Sequence, residues 1–200
     1  MTIFLDMVGF SVIFPLFPSM LDYYLTRETV MGGGVVTSFV DFIKGFSFAG
    51  FEGNSFRFET VIFGGVLGSL YAILQFFFAP VWGRLSDRIG RRPVLIYTLG
   101  GTCLGYGLWI FAGDFWILVI SRILGGISSG NLSVATAAIA DVTSRETRSK
   151  GMALVGIAFG LGFILGPALG GLATEWNWTK DSESLFGLTP FSLAALISLF

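Results

Sequence analysis

Apolar residues form six long runs along the chain, separated by more polar segments. Each complete run approaches the ~20 apolar residues that an α-helix needs to cross the hydrocarbon core of a bilayer. The runs cover about residues 1–21, 61–82, 94–112, 115–141, 151–174 and 188–200. The last run is still apolar at Phe200, so we expect it to be an incomplete sixth span. The pattern predicts an all-α polytopic membrane protein.

The longest connection, residues 22–60, is rich in glycine and aromatic side chains. Several of its apolar side chains repeat with helical spacing, namely Val36, Phe39, Phe42, Ile43 and Phe46. This spacing favours a short amphipathic helix at the membrane interface. A loosely ordered loop is the alternative, and the pattern alone does not separate the two.

Basic residues are concentrated in two of the connections. The segments 83–93 and 142–150 carry four and three Lys or Arg residues, out of twelve in the chain. The 22–60 connection has three over a much greater length, and the 113–114 connection has none. Short basic connections stay on the cytoplasmic side of a membrane. We therefore expect both basic segments and the N-terminus to be cytoplasmic, and the 22–60 connection to be non-cytoplasmic.

The composition narrows the possible classes of function. With 54% hydrophobic and 12% charged residues, the chain is too apolar for a soluble domain. It contains no histidine and one cysteine, Cys103, which excludes internal disulfides, His/Cys metal sites and Cys–His or Ser–His catalysis. No enzymatic activity is expected. The net charge of −1 gives no reason to expect a nucleic-acid partner.

The connection between the second and third runs, GRLSDRIGRRPVL, combines glycines with charges of both signs. Its glycines permit tight backbone turns. Its single acid stands among four arginines, which favours charge-assisted hydrogen bonds at a helix end. From charge alone, a generic basic loop is the alternative. The candidate functional positions are Gly83, Asp87, Arg88, Gly90, Arg91 and Arg92.

Two runs contain an ionisable residue within apolar sequence. Asp6 in the first run is costly inside a membrane, which indicates a pathway or proton site. The alternative places Asp6 at the water interface. Pro15 and Pro18 bend or loosen the same span. In the fourth run, Arg122 lies about two turns inside the membrane and precedes a glycine-rich segment that ends in Asn131. The alternative is that the Arg122 side chain snorkels to the interface.

The fifth run, GIAFGLGFILGPALGG, has glycines at helical spacing around one proline. The glycines allow close helix packing, and the proline removes one backbone hydrogen bond, so we expect a bendable span. The pattern positions are Gly162, Gly166, Pro167, Gly170 and Gly171.

These three segments, in this order, resemble the signatures of the major facilitator superfamily. The basic connection is similar to its loop signature, and SRILGGISSG is similar to its arginine signature, with Gly125 where Gln is usual. The fifth run resembles the signature of its antiporters. The whole chain resembles the drug:proton antiporters of the tetracycline-resistance type and their eukaryotic relatives. The superfamily fold has two six-helix halves with substrate bound between them, so the resemblance implies that this chain is the N-terminal half with the sixth helix truncated.

The resemblance also implies a function. It is proton-coupled antiport or efflux of small organic molecules, of drug or organic-anion type, driven by a proton gradient without a cofactor. Asp6 would couple to protons, with Arg122 as its electrostatic partner or as an anion-binding charge. Asn131 and Gln75 would contact the cavity, and Asp141 would join the basic connection in a conformational gate.

The implied partners are the substrate, protons, the lipid bilayer and the missing C-terminal half of the same transporter. Two alternatives stay open. One is a truncated half-transporter without transport activity, and the other is a facilitator that is not coupled to protons.

Overall fold

All regular structure in the described residues is helical. The computed structural model describes residues 2–31, 34–45, 55–175 and 188–199. The helices are α1 (Thr2–Ser11), α2 (Phe17–Met31), α3 (Val35–Gly45), α4 (Ser55–Ile89), α5 (Arg91–Ile110), α6 (Phe115–Ser128), α7 (Asn131–Val142), α8 (Arg148–Glu175) and α9 (Ser192–Leu199), and a 3₁₀ turn (Phe14–Leu16) separates α1 from α2.

Five helical segments are long and apolar enough to cross a membrane. They are Thr2–Glu28, Phe58–Ile89, Arg91–Ile110, Phe115–Val142 and Arg148–Glu175. The prediction of an all-α polytopic membrane protein is confirmed. Several helices run past the apolar runs that predicted them, because polar residues at membrane interfaces continue the helical hydrogen bonding of the apolar span. The sixth run contributes α9, which has eight residues.

The connection between the first two spans contains a helix rather than only loop. The Glu28 carboxylate accepts hydrogen bonds from the backbone N–H groups of Val36 (2.6 Å) and Thr37 (2.9 Å), and so caps the free donors at the start of α3. Val36 and Val40 are buried against α2 and α4. The predicted apolar face continues to Phe46, which lies outside the described residues.

A single residue connects α4 to α5. Gly90 has a φ of 97°, a value that L-residues with a side chain rarely adopt and glycine adopts readily. The helices therefore turn within one residue, and the charged ends of both are brought together. Gly83, the other glycine of this segment, has no neighbour near the position of a Cβ atom, so close packing does not account for it among the described residues.

The glycines of α8 allow α1 to approach closely. A Cβ atom at Gly162 would lie 2.5 Å from Met7 Cβ, and one at Gly166 would lie 2.9 Å from the Val8 carbonyl oxygen. The Ser11 hydroxyl donates to the carbonyl oxygens of Met7 (2.7 Å) and Gly162 (3.0 Å). Small residues at this contact bring the two backbones together, as in other membrane helix pairs.

The fourth span is interrupted between α6 and α7. Near this interruption, Trp82 Nε1 donates to the Ile127 carbonyl oxygen (2.6 Å) and Gln75 Nε2 donates to the Ser129 carbonyl oxygen (3.1 Å). A broken helix is tolerated at membrane depth when neighbouring groups satisfy its free carbonyls. Side chains of α4 therefore support the segment that carries Arg122 and Asn131.

Candidate functional site

Arg91, the first residue of α5, joins two acids from different helices. Its Nη1 atom lies 2.6 Å from Asp87 Oδ1, and its Nε atom lies 2.9 Å from Asp141 Oδ2 at the end of α7. The Gly90 turn places Arg91 beside the end of α4, and this geometry lets one guanidinium bridge the second and fourth spans. Contact of Arg91 with both acids is the arrangement that the resemblance implied.

The same guanidinium has a third partner that sequence analysis did not identify as functional. Arg91 Nη1 donates to the Ser86 hydroxyl (2.6 Å), which in turn donates to the Gly83 carbonyl oxygen (2.7 Å). Ser86 is buried, whereas Arg88 and Arg92 are exposed and make no ion pair with the described residues. The sequence does not distinguish Arg91 from its basic neighbours except through the family signature.

A second group of polar side chains lies inside the helix bundle. Asp6 on α1 is 3% exposed and Asn131 at the start of α7 is 1% exposed. The two side chains are close to one another, but neither the carboxylate oxygens nor the amide atoms have a hydrogen-bonding partner among the described residues. Asp6 is therefore buried between helices and does not face water, as the alternative would have it. Buried polar atoms without partners are uncommon and are found at functional sites.

Arg122 is buried with its guanidinium group over two aromatic rings. It is 3% exposed, and its Nε atom has no hydrogen-bonding partner among the described residues. Its Cζ atom lies 4.6 Å from the ring centroid of Trp109 and 5.8 Å from that of Tyr106. These cation–π contacts offset part of the cost of burying the charge. The side chain packs inside the bundle and does not snorkel.

Two buried tyrosines lie between the ionisable residues. Tyr71 on α4 and Tyr106 on α5 are both within electrostatic range of Asp6 and of Arg122. The Tyr106 hydroxyl lies against Gly9, where a Cβ atom would be 2.5 Å away. Within the described part of the chain, Asp6 and Arg122 form no ion pair with one another. The tyrosines are functional candidates that the sequence did not indicate.

Gln75 has a structural contact and also lines a groove. Besides its hydrogen bond to Ser129, it borders a cavity of about 480 Å³ between α4 and the interrupted fourth span, with Pro80 and Ser133 among the other lining residues. The position of Gln75 is therefore compatible with the cavity contact that the resemblance implied, and its hydrogen bond to Ser129 also gives it a packing role.

Five aromatic rings form a continuous surface across three spans. We call Phe10, Phe14, Tyr71, Phe159 and Phe163 the aromatic strip. The Phe10 ring lies 4.9 Å from Tyr71, 5.3 Å from Phe14 and 6.0 Å from Phe163, and Phe159 stacks on Phe163 at 5.1 Å. Sequence analysis missed this surface. Its available signal was the spacing of four residues between Phe10 and Phe14 in the first span and between Phe159 and Phe163 in α8.

The antiporter signature divides into two sets of residues. Gly162 and Gly166 face α1, and Gly170 faces Val12 and Pro15, which follow α1 in the same span. A Cβ atom at Gly171 would have no neighbour within 4 Å in the described part of the chain. Pro167 lies within α8 and is half-buried. Three glycines of the signature thus hold the span that carries Asp6 and Phe10.

Comparison with known proteins identifies the family. The sequence model of the Major Facilitator Superfamily matches residues 1–200. Major facilitator superfamily domain-containing protein 10 of Mus musculus is 40% identical over 166 residues, which are 83% of this chain and 36% of the mouse protein. The class E tetracycline resistance protein of Escherichia coli is 36% identical over 198 residues, which are 99% of this chain and 41% of that protein.

A solved structure shows the same arrangement. The crystal structure of the human organic anion transporter MFSD10 (TETRAN) superposes with a TM-score of 0.81 at 34% identity and covers 99% of this chain and 42% of the human chain. This chain spans less than half the length of each of these relatives. The resemblance stated from the three signatures is confirmed, and the chain belongs to the Major Facilitator Superfamily of integral multi-pass membrane transporters.

Proposed function

We propose that this chain is part of a secondary active transporter that exchanges small organic molecules of drug or organic-anion type for protons. The relatives support this class, since one is named for tetracycline resistance and another for organic anion transport. The proton gradient supplies the energy, and no cofactor, covalent reaction or nucleic-acid partner is involved. The substrate would bind between this chain and the remaining part of the complete polypeptide.

The buried carboxyl of Asp6 is the observation that carries the proton-coupling part. It lies inside the bundle without a hydrogen-bonding partner among the described residues. Ionisation there is costly unless water or a cation is admitted. A helix movement that opens and closes access to Asp6 would therefore change its proton occupancy. Asp6 would take up a proton in one conformation and release it in the other.

The remaining interior residues have supporting roles in the proposal. Arg122 provides the positive charge of the site, either as the electrostatic counterpart of Asp6 or as the group that attracts an anionic substrate. Asn131 lies close to Asp6 and would donate its amide N–H to the carboxylate once a helix movement brings the two within hydrogen-bonding distance. Gln75 contributes to the cavity wall from the groove that it lines.

The Arg91 cluster would act as a conformational gate rather than as a substrate site. Its ion pairs connect the second and fourth spans at their charged ends. Breaking them would change the relative stability of two conformations without altering the cavity. α8 would bend at Pro167 and its glycines when the transporter changes from one conformation to the other.

Transport by the complete natural polypeptide tests the proposal. After reconstitution into proteoliposomes, uptake of radiolabelled tetracycline and 2-naphthoate is measured with and without an imposed pH gradient. We expect Asp6→Asn to abolish accumulation against a concentration gradient while exchange down the gradient persists. Arg122→Ala should impair both. Asp22→Asn is the matched control, because Asp22 is an exposed acid of α2.

Each alternative has its own outcome in this assay. A facilitator equilibrates the substrates but never concentrates them, and a transport-inactive protein moves neither. Accumulation by Asp6→Asn with the pH gradient as its sole energy source would show that Asp6 is not the coupling site.

A further inference from the structure

The aromatic strip lies beside an open groove between the first two spans. This groove has a volume of about 490 Å³ and is lined by residues of α1, the 3₁₀ turn, α2 and α4. Its size falls within the range of small-molecule sites. Phe10 and Phe14 belong both to the groove wall and to the strip. The groove is therefore lined by aromatic rings along one side.

Small residues form the side of the groove that α4 contributes. They include Gly64, Gly65, Gly68, Ser69 and Ala72. Cβ atoms at Gly65 and Gly68 would meet no other atom within 4 Å. Elsewhere α4 exposes large side chains such as Phe76 and Phe77. The groove is thus an opening formed by small side chains opposite aromatic ones.

A second, much smaller cavity beside the groove reaches Arg122. It has a volume of about 10 Å³, shares Phe10, Phe14 and Gly68 with the groove, and is also lined by Tyr71 and Arg122. This volume admits about one oxygen-sized group. None of the described residues that line the groove or the inner cavity is acidic. The charged side chain in the lining of the small cavity is the buried guanidinium of Arg122, whose Nε atom has no hydrogen-bonding partner among the described residues. Asp6 lies within electrostatic range of Tyr71 in the same lining, so an anionic ligand is favoured when Asp6 is protonated.

From this arrangement we infer that the groove and the aromatic strip bind a flat aromatic organic anion. The aromatic body lies against Phe10 and Phe14, and one oxygen of its anionic group reaches toward Arg122. This inference rests on the proposed transport function, since it assigns the site at which that function recognises its substrate. It adds a requirement for an aromatic ring on the anion, which neither family membership nor the name of the organic anion transporter specifies.

The chemistry of both ends supports this ligand. Aromatic rings favour other rings at centroid distances of 4.5–7 Å, and the neighbouring Phe159 and Phe163 rings already stack in this range, at 5.1 Å. A carboxylate or sulfonate is the natural partner of a desolvated guanidinium. A cation would meet the positive charge of Arg122, and an aliphatic anion would lack the ring contacts.

Binding of three matched probes to the complete polypeptide in nanodiscs tests the inference. The probes are 2-naphthoate, its neutral amide 2-naphthamide and the non-aromatic cyclohexanecarboxylate. We expect 2-naphthoate to bind more tightly than both others. Phe10→Leu should weaken it by about 2- to 12-fold, the range for one lost ring contact. Arg122→Gln should remove the preference for the acid over the amide.

A groove-filling variant provides a test that does not disturb helix packing within this chain. Gly68→Leu places a side chain into open space and should weaken 2-naphthoate by more than about tenfold. Gly107→Leu is the matched control, because Gly107 on α5 also has no neighbour within 4 Å of a Cβ atom and does not line the groove. Equal Tm values and monodisperse elution establish that both variants are folded.

The outcomes separate the inference from the transport proposal. Suppose that the wild type binds 2-naphthoate and concentrates substrate with the pH gradient. Unchanged 2-naphthoate binding in folded Gly68→Leu and Phe10→Leu proteins would then overturn the groove assignment and leave the transport function standing. Equal affinity of the wild type for 2-naphthoate and cyclohexanecarboxylate would overturn the aromatic requirement. A wild-type protein that binds 2-naphthoate in the groove without transporting it would overturn the transport proposal instead.

Discussion

Replacing Gly170 with alanine should destabilise the contact between α8 and the first span, at the segment that directly follows α1. A Cβ atom at this position would lie 3.0 Å from Pro15 Cγ and 3.1 Å from the Val12 carbonyl carbon, and closer still to the Val12 carbonyl oxygen. Ordinary contact begins at 3.4 Å. Neither a backbone carbonyl nor a proline ring can rotate away, so this part of the first span must move away from α8.

The expected magnitude combines three effects. Overpacking at a close contact costs about 1–3 kcal/mol. Separation of the helices also lengthens the 3.0 Å hydrogen bond from Ser11 to the Gly162 carbonyl, whose loss costs about 1 kcal/mol. Against these, alanine is about 1 kcal/mol more favourable than glycine within a helix. The net free energy of unfolding should therefore fall by about 1–3 kcal/mol.

Gly171→Ala is the matched control in the same signature. A Cβ atom at Gly171 has no neighbour within 4 Å, so this variant gains helix propensity without a steric cost. Thermal unfolding of the complete polypeptide, followed by tryptophan fluorescence, should show a lower Tm for Gly170→Ala and an unchanged or higher Tm for Gly171→Ala. Equal shifts for the two variants would refute the argument from helix contact.

Two further predictions concern the ends of the spans. The first uses a protein whose exposed Cys103 has been replaced. A cysteine introduced at Glu146 should react with impermeant reagents only from the cytoplasmic side, and one introduced at Ser38 only from the opposite side. Labelling of both from one side would contradict the predicted orientation. The second is that Arg91→Ala should reduce the transport rate while substrate affinity stays nearly unchanged, because the bridge between Asp87 and Asp141 is lost. Arg92 is exposed and has no ion pair with the described residues, so Arg92→Ala should retain the wild-type transport rate. A normal transport rate in the Arg91 variant would show that the basic connection determines only topology.

The sequence was sufficient for the helical fold and for the basic connection. A run of about 20 apolar residues has few alternatives to a helix in a bilayer, because every backbone polar group must find its partner within the segment. Gly90 was recognisable as a turn residue, and its positive φ accounts for that choice. The contact of Arg91 with Asp141, 50 residues apart, came from the family signature and not from local pattern.

The interior of the bundle was much less predictable. Pairing of side chains across helices depends on how each helix is rotated about its axis, and nearly uniform apolar sequence contains little information about that rotation. The approach of Tyr106 to Gly9 and the position of Arg122 over Trp109 depend on such rotations. The aromatic strip was missed for the same reason, since its five rings come from three spans.

The α1–α8 contact connects the antiporter signature to the proposed proton site. Gly162 and Gly166 pack against α1, Gly170 packs against the segment directly after it, and α1 carries both Asp6 and Phe10. A shift of α1 that separates it from α8 therefore moves the carboxyl and the ring together. We expect Gly170→Ala to lower the proton-driven transport rate by a larger factor than it lowers the folded fraction, measured in proteoliposomes at a temperature well below its Tm. Loss of transport in proportion to the folded fraction alone would show that the glycines of α8 serve stability and do not position the coupling site.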